Sequence, residues 1–152
     1  MLRVCSRLNA DGFDYRVWII GDGKDRENLE IQRKESRLEN VQFLGKKSNV
    51  FPYMKTADWL ICTSRHEGFN MVLYEAAWCG TPSITTDNAG TREFLGDSQY
   101  GIVTENDETA FYEAMKQVLS DPELLPKYRK AIETRRSFID LSGRIEAICK
   151  LL

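Results

Sequence analysis

The sequence lacks an excess of charge of either sign. Its 21 lysine and arginine residues nearly balance 23 aspartate and glutamate residues, which gives a net charge of −2. Such a balance provides no basic surface for nucleic acid, and no basic run indicates contact with a membrane. Long apolar runs are missing too, since no stretch approaches the roughly 20 apolar residues of a membrane span. The first residues, Met1-Leu2-Arg3-Val4, do not form a signal peptide.

Metal-binding patterns are equally scarce. The cysteines lack the spacing of metal ligands, and most of them lie in apolar runs. The four are Cys5, Cys62, Cys79 and Cys149. We therefore expect buried free thiols in a reducing cytoplasm rather than disulfides. His66 is the only histidine, its spacing from Glu67 is not that of a metal site, and the chain has no Asp-x-Asp pair. No metal centre is predicted.

What the chain does contain is a regular alternation of elements within 152 residues, the length of one domain. Strands are expected at residues 2–6, 15–20, 41–44, 59–62, 83–86 and 102–103. Helices are expected at residues 25–38, 49–56, 70–80 and 91–95, and then after Asp107, at Asp121-Pro122 and after Ser142. The alternation predicts an α/β fold, a Rossmann-like parallel sheet with helices on both faces. Ligands of such sheets bind beyond the carboxyl ends of the strands.

The connection between the first two expected strands is too short. Only residues 7–14 separate residues 2–6 from residues 15–20. Parallel neighbours need a crossover of about a dozen residues or more, which usually contains a helix. Either these strands are antiparallel, or a segment is missing between Leu8 and Phe13.

Residues 63–80 carry the strongest functional pattern. They follow an apolar run and turn through Glu67-Gly68 into a helix, so Glu67 is expected on a strand-to-helix loop. Glu75 lies on the second turn of that helix among apolar neighbours. Because burying an unpaired carboxylate costs roughly several kcal/mol, Glu75 should face a polar partner or a cleft. The helix start offers free N–H groups, which attract phosphate.

Two glutamates with seven residues between them, a Gly-aromatic pair after the first and Ala-Ala-x-Cys-Gly-x-Pro after the second form one combination. It resembles the E-x7-E segment of retaining glycosyltransferases of the GT-B fold, the glycosyl transferases group 1 family. The resemblance extends to Gly21-Asp22-Gly23, Phe43-Leu44-Gly45 and Gly90-x-x-Glu93, and so covers nearly the whole chain. It implies that residues 1–152 are the nucleotide-sugar-binding C-terminal half of a GT-B fold, with an N-terminal acceptor domain absent.

The family resemblance of Ser6-Arg7-Leu8 favours a missing segment over antiparallel strands. In the family, a loop with a Lys-Gly pair and a helix follow these residues. We therefore expect that residues have been skipped between Leu8 and Phe13 and that the chain is an excised domain.

The resemblance also implies a set of site residues. The catalytic candidates are Glu67, which would face the donor sugar, and Arg7, which would face the diphosphate. Glu75 would bind the ribose hydroxyls, and loop and helix amides would meet the base, sugar and phosphate. The donor-binding candidates are Gly21, Gly23, Gly45, Gly68, Phe69, Asn70, Met71 and Glu75.

Structural explanations stay open for several of these residues. Arg7 also fits an exposed arginine at a strand end, and Glu67 fits a helix-start carboxylate stabilised by the helix dipole. Asn9-Ala10-Asp11 stands where the family has a second diphosphate-facing cation, a lysine, and Lys24 is better explained as solvated. The segment 87–90 and Glu93 would line the same rim, but a turn and a surface glutamate explain them almost as well. For His66, a packing or rim role is favoured over a catalytic one.

The expected function is the binding of a nucleotide sugar, with UDP preferred, for a retaining, metal-independent hexosyl transfer without cofactor. The acceptor would be a saccharide or a lipid-linked sugar in polysaccharide biosynthesis. The fragment alone should be inactive, and the enzyme cytoplasmic, at the inner face of the membrane if the missing domain associates with it. Alternatives are a nucleotide-sugar epimerase of similar fold and a non-catalytic nucleotide-binding or scaffold domain.

Overall fold

The computed structural model describes residues 1–64 and 70–139 of the chain. These residues fall into two compact units, residues 1–50 and residues 51–152, each of which is treated by itself. The tail helix expected after Ser142 lies outside the described residues.

The first unit contains two helices and two strands. They are α1 (Leu2–Ala10), β1 (Val17–Ile20), α2 (Arg26–Glu35) and β2 (Val41–Gly45). The two strands are parallel, with Val17 opposite Val41. Alternate strand residues face a small core that α1 covers. This core consists of Leu2, Cys5, Val17, Leu38 and Val41. Both strands and α2 lie where the sequence predicts them, within two to three residues at each end.

The strand expected at residues 2–6 is wrong, because these residues form the beginning of α1. Leu2, Cys5 and Leu8 recur every third residue and are buried together. An apolar run this short does not distinguish a strand from a buried helix by its pattern. The Tyr15 hydroxyl donates to the Cys5 carbonyl at 2.9 Å and fastens the helix to the segment that leads into β1.

Helix α1 ends in a regular helix stop. The amide of Asp11 donates to the Arg7 carbonyl at 3.0 Å, and the amide of Phe13 donates to the Leu8 carbonyl at 3.1 Å. A single helix precedes β1, so there are no longer two strands to be joined across residues 7–14. The expectation of a skipped segment between Leu8 and Phe13 thereby loses the geometric reason on which it was based.

The second unit continues the alternation of helix and strand. Its elements are α3 (Phe51–Thr56), β3 (Leu60–Cys62), α4 (Met71–Trp78), β4 (Ser83–Thr86), α5 (Ala89–Leu95), β5 (Ile102–Thr104), α6 (Glu108–Ser120) and α7 (Leu124–Ile139). The three strands are parallel in the order β3-β4-β5, with Ile84 opposite both Ile61 and Ile102. Each expected strand and helix from residue 49 to α7 is present.

Strand β4 is the centre of this sheet, and all four of its side chains are buried. Three of them carry hydroxyl groups, which need partners when they are removed from water. Thr86 finds one outside the sheet, since its Oγ1 donates to the carbonyl of Ser64 at 2.6 Å. The central strand is thus tied to the chain that leaves β3.

Helix α4 packs against α7 through a shared apolar cluster. Its buried members are Leu73, Ala77, Phe94, Leu95 and Ile132. At the edge of the cluster the Arg136 guanidinium lies 4.3 Å from the centre of the Trp78 ring. Helix α6 begins as predicted, because the Asp107 carboxylate accepts from the amides of Thr109 and Ala110 at 2.7 and 3.0 Å.

The predicted fold class is confirmed: the protein is α/β, with parallel strand pairs and helices on both sides. Cys5, Cys62 and Cys79 are free thiols, as expected. Within residues 1–64 and 70–139, no helix has the length and apolar character that crossing a bilayer requires.

Candidate functional site at the start of α4

Three of the predicted site residues, Glu67, Gly68 and Phe69, lie outside the described residues, as does His66. The others divide between the two units. Asn70, Met71 and Glu75 belong to α4 and its N-cap position, and we call these three residues the α4 site. Gly21, Gly23 and Gly45 belong to the first unit, as does Arg7.

Asn70 occupies the N-cap position of α4 but does not cap the helix with its side chain. Its amide group instead donates to Cys62 Sγ, at the end of β3, with 3.1 Å between nitrogen and sulfur. Asn70 is only 4% exposed, so this contact is shielded from water. Most asparagines in this position accept hydrogen bonds from the first helical turn. Here the first turn keeps its amides free of that side chain.

A small polar group surrounds this contact. The Cys62 thiol donates to Ser64 Oγ at 3.6 Å, while the Ser64 carbonyl accepts from Thr86 Oγ1. We call Cys62, Ser64, Asn70 and Thr86 the Asn70 cluster. It joins the end of β3, the end of β4 and the start of α4. The position of the helix start relative to the sheet is therefore set by side-chain hydrogen bonds.

Glu75 lies one helical turn beyond Met71, on the same side of α4. They are four positions apart, so the axial distance is about 6 Å. Glu75 is half-buried, and among the described residues its carboxylate makes no hydrogen bond or ion pair. Burial raises the pKa of Glu75 above its ordinary value. The sequence predicted that Glu75 faces a polar partner or a cleft, and the described residues supply no such partner.

The opposite side of α4 explains why Glu75 faces outward from the core. Leu73, Ala76 and Ala77 are each at most 1% exposed and anchor the helix. Met71, by contrast, is 43% exposed. The apolar side thus fixes the helix in rotation and leaves Met71 and Glu75 on the accessible side.

The segment after β4 has structural partners for its polar groups. The side-chain oxygen of Asn88, Oδ1, accepts from the amide and the hydroxyl of Thr91 and so caps α5. The Asp87 carboxylate receives two hydrogen bonds from the Arg92 guanidinium, which lower the pKa of Asp87. Glu93 is exposed. The described contacts thus support the structural explanation of segment 87–90 and Glu93 rather than the ligand-binding one.

In the first unit, the glycines after β1 form a turn that is bound to the end of β2. The amide of Gly21 donates to the carbonyl of Gly45 at 3.0 Å, and the carbonyl of Gly23 accepts from the amide of Arg26 at 3.1 Å. Gly45 has a φ of 69°, which strongly favours glycine. These contacts agree with a tight strand-to-helix turn. Whether the three glycines meet a ligand stays a prediction.

Arg7 lies in the last turn of α1 and not at the end of a strand. The expected position was wrong because the strand at residues 2–6 does not exist. Arg7 is half-buried on a helix that packs on the sheet of the first unit. Its contact with a diphosphate stays a prediction that rests on the family resemblance.

Two residues of structural importance were missed by reasoning from the sequence. Cys62 was assigned only as a buried thiol. Its position at the end of an expected strand, directly before the strand-to-helix loop that carries Glu67, could have indicated a role beside the predicted site. Arg26 was not singled out within the expected helix at residues 25–38. Its guanidinium lies against Gly45 and is held by Glu30 at 2.9 Å.

The parallel sheets and their alternating helices resemble those of solved glycosyltransferases. S. aureus TarM, in a structure with fondaparinux, alpha-GlcNAc-glycerol and UDP, superposes with a TM-score of 0.82 at 19% identity, over 99% of this chain and 30% of TarM. The pneumococcal O-GlcNAc transferase GtfA, in a structure with UDP and GlcNAc, gives 0.82 at 18% identity, over 91% of this chain and 29% of GtfA. The fold is that of one half of a GT-B glycosyltransferase.

Sequence similarity identifies the family. Residues 1–121 match Glycosyl transferases group 1, and the chain belongs to this family. A curated relative is 32% identical over 143 residues, which are 92% of this chain and 38% of the relative. It is the N-acetylgalactosamine-N,N'-diacetylbacillosaminyl-diphospho-undecaprenol 4-alpha-N-acetylgalactosaminyltransferase of Campylobacter jejuni. The chain spans about a third of the length of the curated relatives that it matches.

Proposed function

We propose that this chain is the donor-binding domain of a retaining hexosyltransferase and that it binds a UDP-sugar. The observation that carries the proposal is Glu75, a desolvated carboxylate without a partner among the described residues, one turn from a helix start that the Asn70 side chain does not cap. Membership of the family and the UDP in the TarM and GtfA structures support the choice of ligand.

The chemistry of the α4 site suits a nucleoside diphosphate. The amides of the first turn and the positive end of the helix dipole are a match for the diphosphate oxygens. The Glu75 carboxylate can accept from two adjacent ribose hydroxyls, and charge-assisted hydrogen bonds of this type are the stronger ones. The first-turn amides and the positive end of the helix dipole would also stabilise the negative charge that develops on the leaving diphosphate. Transfer by this route needs no metal ion.

The roles of the E-x7-E pair follow from the family resemblance. Glu67 is the proposed contact of the donor sugar, and Gly68 and Phe69 accompany it in the loop. We further infer that the acceptor is a saccharide or a lipid-linked sugar, as in the name of the Campylobacter relative. The enzyme would then act in the cytoplasm, at the inner face of the membrane, together with an N-terminal acceptor domain.

Calorimetric titration of the chain with UDP, GDP and ADP tests the proposal. We expect saturable binding, strongest for UDP, and a thermal shift, since a ligand at 100 times its Kd stabilises by about 2.7 kcal/mol. Glu75→Gln should lose most of this affinity. Glu133→Gln, which changes an exposed glutamate on α7, is the matched control and should bind like the parent. Absence of binding for all three nucleotides, or full affinity in Glu75→Gln, would contradict the proposal.

A second experiment tests whether the chain can transfer a sugar without the proposed N-terminal acceptor domain. The isolated chain should release no sugar onto any acceptor, because the proposed acceptor site is elsewhere. Turnover by the chain alone would overturn this part. Conversion of free UDP-sugar to its epimer without an acceptor would instead support the epimerase alternative.

A further inference from the structure

The side chain of Asn70 is used in an unexpected way. Asparagine is among the best residues for capping a helix, because its carbonyl oxygen accepts from the amides of the second or third helical residue. In α4 these are Val72 and Leu73. Asn70 has φ and ψ of −88° and 82°, and its side chain makes no capping hydrogen bond. The amide of Leu73 donates to the Asn70 backbone carbonyl instead, at 3.1 Å.

The Asn70 amide group is committed to the thiol of Cys62. The nitrogen-to-sulfur distance is 3.1 Å, and the residue is 4% exposed. A buried amide that loses its acceptor keeps the full cost of desolvation, so the contact is expensive to break. Cys62 in turn donates to Ser64 Oγ at 3.6 Å, which directs the thiol proton away from Asn70 and a sulfur lone pair toward it.

The contact connects two chain positions that bracket the proposed sugar-facing loop. Cys62 is the last residue of β3, and Asn70 immediately precedes α4. Cys62 itself is 9% exposed and so lies within the core. A side-chain bond between these positions fixes the start of α4 against the sheet and keeps the asparagine oxygen from capping the first turn.

From this geometry we propose that Cys62 and Asn70 are positioning residues of the donor site. Their hydrogen bond keeps the Asn70 side chain from capping the first turn of α4 and orients the start of this helix for the diphosphate of the nucleotide sugar. Neither side chain touches the ligand in this role. The inference rests on the proposed function for its ligand, whereas the effect on the helix start is independent of any ligand.

The first experiment needs no nucleotide. In Cys62→Ala the Asn70 amide loses its acceptor, and the side chain is free to cap the first turn. We define the Val72 ratio as the hydrogen-exchange rate of the Val72 amide divided by that of the Ala76 amide in the core of the same helix. This ratio should fall several-fold in Cys62→Ala. Cys79→Ala, a half-buried cysteine at the other end of α4, is the matched control and should leave this ratio unchanged. An unchanged Val72 ratio in Cys62→Ala overturns the inference.

The second experiment measures UDP affinity by calorimetry in the same variants. Cys62→Ala should weaken binding about tenfold, because the Asn70 side chain must leave the first-turn amides before they meet the diphosphate. Asn70→Ala should weaken binding by a similar factor, because the start of α4 must be realigned. Since the two residues act as one pair, the double variant should be no weaker than either single variant. Cys62→Ser keeps a donor and an acceptor at nearly the same place and should restore most of the affinity.

A role in packing alone predicts a different result. Cys62→Ala would then lower stability while UDP affinity and the Val72 ratio stayed at parental values, and that outcome overturns the inference. If the parent chain binds no nucleotide, the proposed function fails, and the exchange ratio still decides whether Cys62 holds the helix start. If Cys62→Ala does not fold, Asn70→Ala and Cys62→Ser carry the affinity comparison.

Discussion

The Arg26 guanidinium lies directly against the backbone of Gly45. A Cβ atom at Gly45 would stand 3.0 Å from Arg26 Nη1, which is closer than side chains normally approach. Glu30 holds the guanidinium at 2.9 Å, and Asp22 lies 3.7 Å from it. The end of β2 and the glycine turn after β1 are thus joined across one arginine.

Gly45→Ala should therefore destabilise the first unit by about 1–2 kcal/mol, from the left-handed backbone alone, with a further loss as Arg26 is displaced. Chemical denaturation of the variant gives this value. Gly12→Ala is the matched control, since Gly12 has a φ of 81° and open space around it. In an Arg26→Ala background, Gly45→Ala and Gly12→Ala should lower the free energy of unfolding by the same amount. An excess for Gly45→Ala that persists there would contradict the role of Arg26.

Binding of a UDP-sugar should weaken in acid. In the proposed complex, ribose hydroxyls donate to the ionised Glu75, whereas burial raises the pKa of the free carboxyl above 4.5. Below that raised pKa, binding must first remove a proton from Glu75, so affinity falls as the pH drops. Calorimetry between neutral and mildly acid pH should reveal the decline. Glu75→Gln should bind weakly with a flat profile, and a flat profile in the parent would contradict the assignment.

The same carboxylate should lower stability at neutral pH. A raised pKa means that folded protein binds the Glu75 proton more tightly than unfolded protein does, so stability decreases as the pH rises through that range. Glu75→Gln removes this penalty. Urea unfolding should therefore show a variant more stable than the parent at neutral pH, with the difference disappearing below the ordinary carboxyl value of 4.5. A less stable variant at neutral pH would refute the assigned cause of the shift.

The contact of α4 with α7 should depend on Ile132, which is 1% exposed within the shared cluster. Truncation to alanine leaves a cavity and should cost about 2–4 kcal/mol, while Ile132→Val should cost about 1 kcal/mol. Urea unfolding with an unchanged m-value provides the measurement. The neighbouring exposed Glu133→Ala should stay within about 0.5 kcal/mol of the parent. Equal costs at the two positions would show that α7 does not pack as described.

The cap of α6 offers a smaller, separable effect. Asp107→Ala removes the acceptor of two amides and should cost about 1 kcal/mol. Asp107→Asn retains an acceptor oxygen, so thermal unfolding should place it close to the parent. A loss in Asp107→Asn equal to that in Asp107→Ala would mean that charge, and not the cap, supplies the stabilisation.

Local signals predicted most of the fold. Strand 83–86 was recognised because three of its four residues are β-branched, and strand 41–44 because it is a short, mostly apolar run. The Asp107 cap was recognised because its hydrogen bonds are made within one turn. The first helix was mistaken for a strand because the period of a run as short as residues 2–6 does not decide between the two structures. That error also misplaced Arg7, which was expected at the end of a strand and lies in the last turn of α1.

The site was predictable only in outline. The resemblance identified Asn70, Met71 and Glu75 as neighbours on one helix, and their arrangement on α4 agrees with this. The bond from Asn70 to Cys62 was not foreseen, because it joins residues eight positions apart through a side-chain conformation that no sequence pattern specifies. Capping preference pointed the other way.

The burial of β4 has a consequence for engineering this domain. Thr86 belongs to the interior of the sheet, and its hydroxyl holds the carbonyl of Ser64 at 2.6 Å. Any replacement there alters the interior of the sheet and the position of Ser64 at once. Substitutions that test the proposed donor binding while retaining heat resistance are better directed at surface positions of α4 than at this threonine.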